Sequence, residues 1–84
     1  MNAVLLVDDE RDFADALAER LQARGFRVTT AYDGEDALRL AAGLDFDVAV
    51  LDVNLPGMDG LALLRELRAL RPQAEALMSA CVQE

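Results

Sequence analysis

The chain has 84 residues and a mass of 9.1 kDa, enough for one domain and too little for two cores that must each repay their own chain entropy. It is 54% hydrophobic and 29% charged with 5 Gly and 2 Pro, which excludes a disordered or collagenous segment, and its apolar runs fall far short of the roughly 20 residues that cross a bilayer. Sixteen acidic against eight basic residues give a formal charge of -8, which works against binding nucleic acid or anionic lipid, and all eight basic residues are Arg, so chemistry that needs Lys or His is excluded as well.

Ala3-Val4-Leu5-Leu6-Val7 is a continuous apolar run that stops at Asp8-Asp9-Glu10, the pattern of a strand buried on both faces and ending in acid. From Asp12 the spacing becomes helical, with Phe13, Ala16, Leu17 and Leu21 on one stripe and Gly25 as the stop. Phe26 to Ala31 alternates Phe26, Val28 and Thr30 against Arg27, Thr29 and Ala31, which predicts a half-buried strand near a sheet edge, and Asp33-Gly34 turns the chain. Glu35 to Ala42 predicts a short helix with Ala37, Leu38 and Ala41 on one face and Gly43 at its end. Val48 to Leu51 then reads as a second buried strand, again ending in acid at Asp52.

Leu55-Pro56-Gly57-Met58-Asp59-Gly60 is turn chemistry, in which Pro presets φ, Gly permits positive φ and Asp59 is placed to cap the next helix. That helix is predicted over Leu61 to Leu70 with Leu63, Leu67 and Leu70 as its stripe. Pro72 prevents its continuation, and Ala76-Leu77-Met78 before Ser79 reads as a fourth strand.

Strands and helices that alternate with short loops predict an α/β fold, a parallel sheet with right-handed crossovers. Ligands of such sheets lie at the carboxyl ends of the strands, where Asp8, Asp9, Asp52 and Ser79 would all stand. Carboxylates a few ångströms apart repel by about 4 kcal/mol per pair at an effective dielectric of 20. A hard divalent cation is the natural offset, and oxygen-only ligation suits Mg²⁺ better than zinc; calcium is less expected without a twelve-residue loop of alternating oxygen ligands. A cation beside a carboxylate also sets up phosphoryl transfer. Taken alone, Asp8-Asp9 also fits a solvated turn at a helix start, Asp52 an ordinary loop acid, and Ser79 a local backbone partner.

Val7-Asp8-Asp9-Glu10 together with Asp52 in Val50-Leu51-Asp52-Val53-Asn54-Leu55-Pro56-Gly57-Met58-Asp59-Gly60 resembles the receiver domains of two-component response regulators, and the likeness covers essentially the whole chain. The resemblance implies a flavodoxin-like, CheY-like parallel sheet of order 2-1-3-4 with flanking helices. It implies that Asp52 is the phosphoacceptor, that Mg²⁺ is held by Asp9, Asp52 and the backbone carbonyl of Asn54 with Asp8 acting through a bound water, and that Ser79, followed by small Ala80, is a switch hydroxyl. The phosphoryl donor would be a sensor histidine kinase, a phosphotransfer protein or a small phosphodonor, and the chain a switch and not a metabolic enzyme.

Residues 1–84 are expected to form a single receiver domain truncated after the fourth strand, without the final α-β-α elements and the lysine and aromatic residue that the family carries there. One sheet face would then be covered by the first helix alone, and strand four would be an open apolar edge suited to a homodimer or a domain swap, unless the chain is a fragment whose remainder lies elsewhere. The rival reading is a degenerate receiver, never phosphorylated, that acts as an interaction or dimerisation module. A phosphatase or phosphotransferase with an aspartyl intermediate fits less well, because its two acids would stand two residues apart and Asp8 and Asp9 are adjacent. Met1-Asn2-Ala3 lacks the features of a secretory leader and the lone Cys81, to which no role is assigned, cannot form an internal disulfide, so a cytoplasmic chain is expected.

Overall fold

An apolar run with no polar side to offer water has to be enclosed on both faces, and Ala3–Val7 forms a strand, β1, that is buried at every position. The computed structural model describes residues 2–52, 55 and 59–79, the last three as backbone alone. After β1 come α1 (Arg11–Ala23), β2 (Arg27–Ala31), α2 (Gly34–Ala42), β3 (Val48–Asp52), α3 (Gly60–Leu70) and β4 (Glu75–Ser79). The strands form one parallel sheet in the order β2-β1-β3-β4, the order that the sequence resemblance implies.

Register is set from the centre outward. β1 places Leu6 beside Thr30 of β2 and Val50 of β3, and β3 in turn places Asp52 beside Ser79 of β4. Successive side chains of β1 point to opposite faces, so Leu5 and Val7 join α2 and α3 while Leu6 joins α1. Among the described residues the α2/α3 face holds Leu51, Phe46, Leu55, Leu63 and Leu67, all buried, whereas the buried cluster under α1 is the smaller one of Leu6, Ala14 and Ala18, with Val4 buried on the same side of β1. As expected, α1 is the one helix on that second face among the described residues.

Local chemistry explains the helix ends. Gly25, at φ 97°, lets the chain turn back after α1, so that its N–H donates to Gln22 O and that of Phe26 donates to Leu21 O. Asp59 caps α3 as expected, accepting from Leu61 N at 3.2 Å. Asp33 does more than turn the chain, because its carboxylate accepts from Asp36 N at 2.7 Å and starts α2 at Gly34.

Two of the expected apolar stripes need correction. Ala14 and Ala18 are the buried positions of α1, while Ala16 is exposed and Phe13 is 43% exposed. The helix seats on Leu6 through two small residues four apart, and this turns Phe13, one residue earlier and about 100° around the axis, toward solvent. In α3, Leu63 and Leu67 are buried but Leu70 is 43% exposed, because it lies in the last turn, where the chain leaves the helix toward β4. No helix among the described residues is long and apolar enough to cross a membrane.

Candidate metal centre

Parallel pairing of β1 with β3 runs through Val7 beside Leu51, so the next residue of each strand, Asp8 and Asp52, emerges at the same edge as a lateral neighbour. Both are buried, at 4% and 5% exposure, which is unusual for carboxylates; Asp9, one residue further, is exposed. One carboxylate oxygen from each of the three lies within 4.8 Å of the other two. At that distance and an effective dielectric of 20, each ionised pair repels by about 3.5 kcal/mol.

Asp8 carries the clearest consequence. Burial pushes its carboxyl above the ordinary value of 3.8, the hydrogen bond from Glu10 N at 2.9 Å pulls the other way, and the charges of Asp52, Asp9 and Glu10 push it further up. The charges that push it up, those of Asp52, Asp9 and Glu10, are all negative, which favours a cation among these carboxylates. The donor set is all oxygen, which suits a hard divalent ion. Two ligands of one Mg²⁺ at 2.0–2.1 Å stand at most about 4.2 Å apart, so an oxygen span of up to 4.8 Å closes around the ion with movements of a few tenths of an ångström.

The structure thus brings together Asp8, Asp9 and Asp52. Ser79 stands opposite Asp52 in the β3–β4 register by its backbone, while Asn54, the expected carbonyl ligand, lies outside the described residues, as do Ala80 and Cys81. The acids at the opposite sheet edge are engaged otherwise: Asp47 Oδ2 accepts from Ala3 N at 2.8 Å, and Asp45 lies 3.5 Å from the Arg71 guanidinium. They staple the amino edge and take no part in the cluster.

A second group beside the cluster escapes the sequence reading. Tyr32 follows directly on β2, its hydroxyl donates to Asp15 Oδ1 at 2.7 Å, and the Arg11 guanidinium lies 4.1 Å from the centre of its ring. Arg11 and Asp15 are four residues apart on α1, so Tyr32 lies across one helical turn. The available signal was positional: a tyrosine immediately after a strand stands at the same carboxyl edge as the acids.

Comparison with known proteins places this geometry in context. The family profile described as Response regulator receiver domain matches residues 4–83. A response regulator receiver protein of Anaeromyxobacter sp. (strain Fw109-5) is 44% identical over 78 residues, which is 93% of this chain and 33% of that protein. The chain spans a quarter to a third of the length of the curated relatives it matches. A response regulator from Burkholderia pseudomallei, solved with a phosphorylated aspartic acid, a calcium ion and citrate, superposes with a TM-score of 0.92 at 32% identity, covering 100% of this chain and 49% of that one. The response regulator TrrA of Thermotoga maritima in complex with Mg²⁺-BeF superposes with a TM-score of 0.85 at 35% identity, covering 93% of this chain and 68% of that one. The structure of the histidine kinase ThkA in complex with TrrA matches with a TM-score of 0.88 at 32% identity, over 100% of this chain and 72% of that one.

Proposed function

From the premise that the chain belongs to the response regulator receiver domain family, we propose that it accepts a phosphoryl group on Asp52, with Mg²⁺ held beside it, and passes the change on by altered partner binding. The observation that carries this reading is the meeting of the Asp8, Asp9 and Asp52 carboxylates within 4.8 Å at the carboxyl edge of the sheet. In the reaction a carboxylate oxygen of Asp52 attacks phosphorus in line with the leaving group. A P–O bond forms, the bond from phosphorus to the donor breaks, and the electron pair leaves with the donor. When bound, Mg²⁺ neutralises charge on the oxygens of the transferred group.

The chain's own residues divide the remaining work. Asp9 and Asp52 would hold the ion together with the carbonyl of Asn54, Asp8 would act through a water, and burial of Asp52 would limit water's access to the acyl phosphate. Ser79, in register with Asp52, would turn its hydroxyl toward a new phosphoryl oxygen and so bias a two-state element. The donor would be a sensor histidine kinase, a phosphotransfer protein or a small acyl phosphate, a reading supported by the TrrA–ThkA complex. Residues 1–84 would act as one receiver unit, a cytoplasmic switch with no metabolic turnover of its own. Self-association of the 84-residue chain through the β4 edge is part of the proposal, and a monomer at high concentration in sedimentation would remove it.

Intact mass after incubation with Mg²⁺ and acetyl phosphate tests the reading, with Asp52→Asn run alongside. One added phosphoryl group that vanishes in the variant is the expected result. An unchanged mass in both would overturn it and leave a phosphorylation-independent interaction module.

A further inference from the structure

Asp9 is the exposed member of the carboxylate cluster, and it sits in a three-residue loop between the end of β1 at Val7 and the start of α1 at Arg11. Both flanks of that loop are tied to two consecutive residues, the last of β2 and the one that follows it. On one side Asp8 N donates to Ala31 O at 3.0 Å; on the other, Arg11 stacks on the ring of Tyr32, the very next residue. The Tyr32 hydroxyl then fastens the following helical turn through Asp15 at 2.7 Å, and the ring packs against the cluster of Leu6, Ala14 and Ala18. Rotation of α1, or a shift of its first turn along the sheet, would therefore have to break the Tyr32 contacts before it could move Asp9.

We infer that Tyr32, with Arg11 and Asp15, is a positioning residue for the acidic site: it holds the first turn of α1 so that Asp9 stays within reach of a cation shared with Asp8 and Asp52. The inference rests on the reading of the cluster as a Mg²⁺ site. It is specific to the side chain of Tyr32, because replacing a neutral tyrosine leaves the formal charge of -8 unchanged and so separates positioning from simple attraction of the ion. The chain also supplies its own reporter, since Tyr32 is its one tyrosine and it has no tryptophan.

The test is Mg²⁺ titration of the folded 84-residue chain by calorimetry in wild type, Tyr32→Phe, Tyr32→Leu and Asp9→Asn, and by tyrosine emission in wild type and Asp9→Asn, which keep the tyrosine. Tyr32→Phe keeps the ring under Arg11 and loses the bond to Asp15, whereas Tyr32→Leu loses both. The expected Kd for Mg²⁺ rises on the order of 5-fold in Tyr32→Leu, the low end of measured couplings between sites, with Tyr32→Phe in between. By the same linkage, wild-type emission changes with the midpoint found by calorimetry, and Asp9→Asn abolishes both signals. A purely structural role would lower the melting temperature of the Tyr32 variants and leave Kd unmoved at temperatures where they are folded; that result overturns the inference while the metal site stands. Absence of Mg²⁺ binding in wild type would instead overturn the reading of the cluster, and the inference with it.

Discussion

The α2/α3 face of the sheet encloses Leu5, Val7, Leu51, Leu63 and Leu67 in one continuous cluster, whereas the α1 face is held by Val4, Leu6 and two alanines, with Leu17, Val28, Tyr32 and Val50 half-buried around Leu6 and the alanines. The first face is anchored by large apolar side chains, each with neighbours on several elements. The second relies on close approach through small residues and on a polar clasp at its carboxyl end. The acidic cluster lies at the edge shared by both, so Asp52 extends from a strand that the thick face fixes, while Asp9 leads into the helix of the thin face. The difference teaches that the nucleophile candidate is held by packing and its partner acid by a few specific contacts.

Cavity-forming substitutions test that contrast most strongly. Leu63→Ala should cost about 3 kcal/mol, because Leu63 is fully buried and its surroundings are packed from several sides, whereas Leu6→Ala should cost about 2 kcal/mol, because the thin face can relax toward the gap. Urea denaturation of both variants checks this, and equal costs would break the distinction between the faces. A smaller effect is expected at the start of α2, where Asp33→Ala removes the bond to Asp36 N and should lower stability by about 1 kcal/mol.

The smallest effect has the opposite sign. The folded carboxyl of Asp8 sits above 3.8, so the native state binds its proton more tightly than the unfolded chain does. Its contribution is therefore favourable at acidic pH and is lost as pH rises through the folded value, leaving an ionised group that opposes folding at neutrality. In metal-free buffer Asp8→Asn, which keeps an oxygen for Glu10 N, should melt higher than wild type at pH 7 and lose that advantage below pH 4. Thermal melts across that range decide the matter, and added Mg²⁺ should reverse the order by stabilising only the wild type.

Much of this was legible because one-dimensional patterns report local structure directly. The unbroken apolar run of Ala3 to Val7, the alternation after Phe26 and the acid at the ends of the first and third strands define a parallel sheet and the edge where those acids meet. Asp8, Asp9 and Asp52 could be named in advance because the carboxyl ends of neighbouring parallel strands converge wherever the sheet pairs. The face of α1 was not legible: Phe13 is the larger apolar residue, and periodicity alone cannot weigh its burial against the closer seating that Ala14 and Ala18 allow. Nor was Asp33 as a helix cap, since Asp-Gly serves equally well in a turn.

The sequence by itself determined the alternation of strands and helices, the acid after the first and third strands and the lack of lysine and histidine among the 84 residues, because these depend on residue type and near neighbours. Tertiary structure alone decided the 4.8 Å convergence of three carboxylates, the raised carboxyl of Asp8 and the clasp that joins Tyr32 to Arg11 and Asp15. Each of these depends on distance and burial between residues far apart in the chain, and those quantities exist only once the sheet has chosen its register and each helix its rotation.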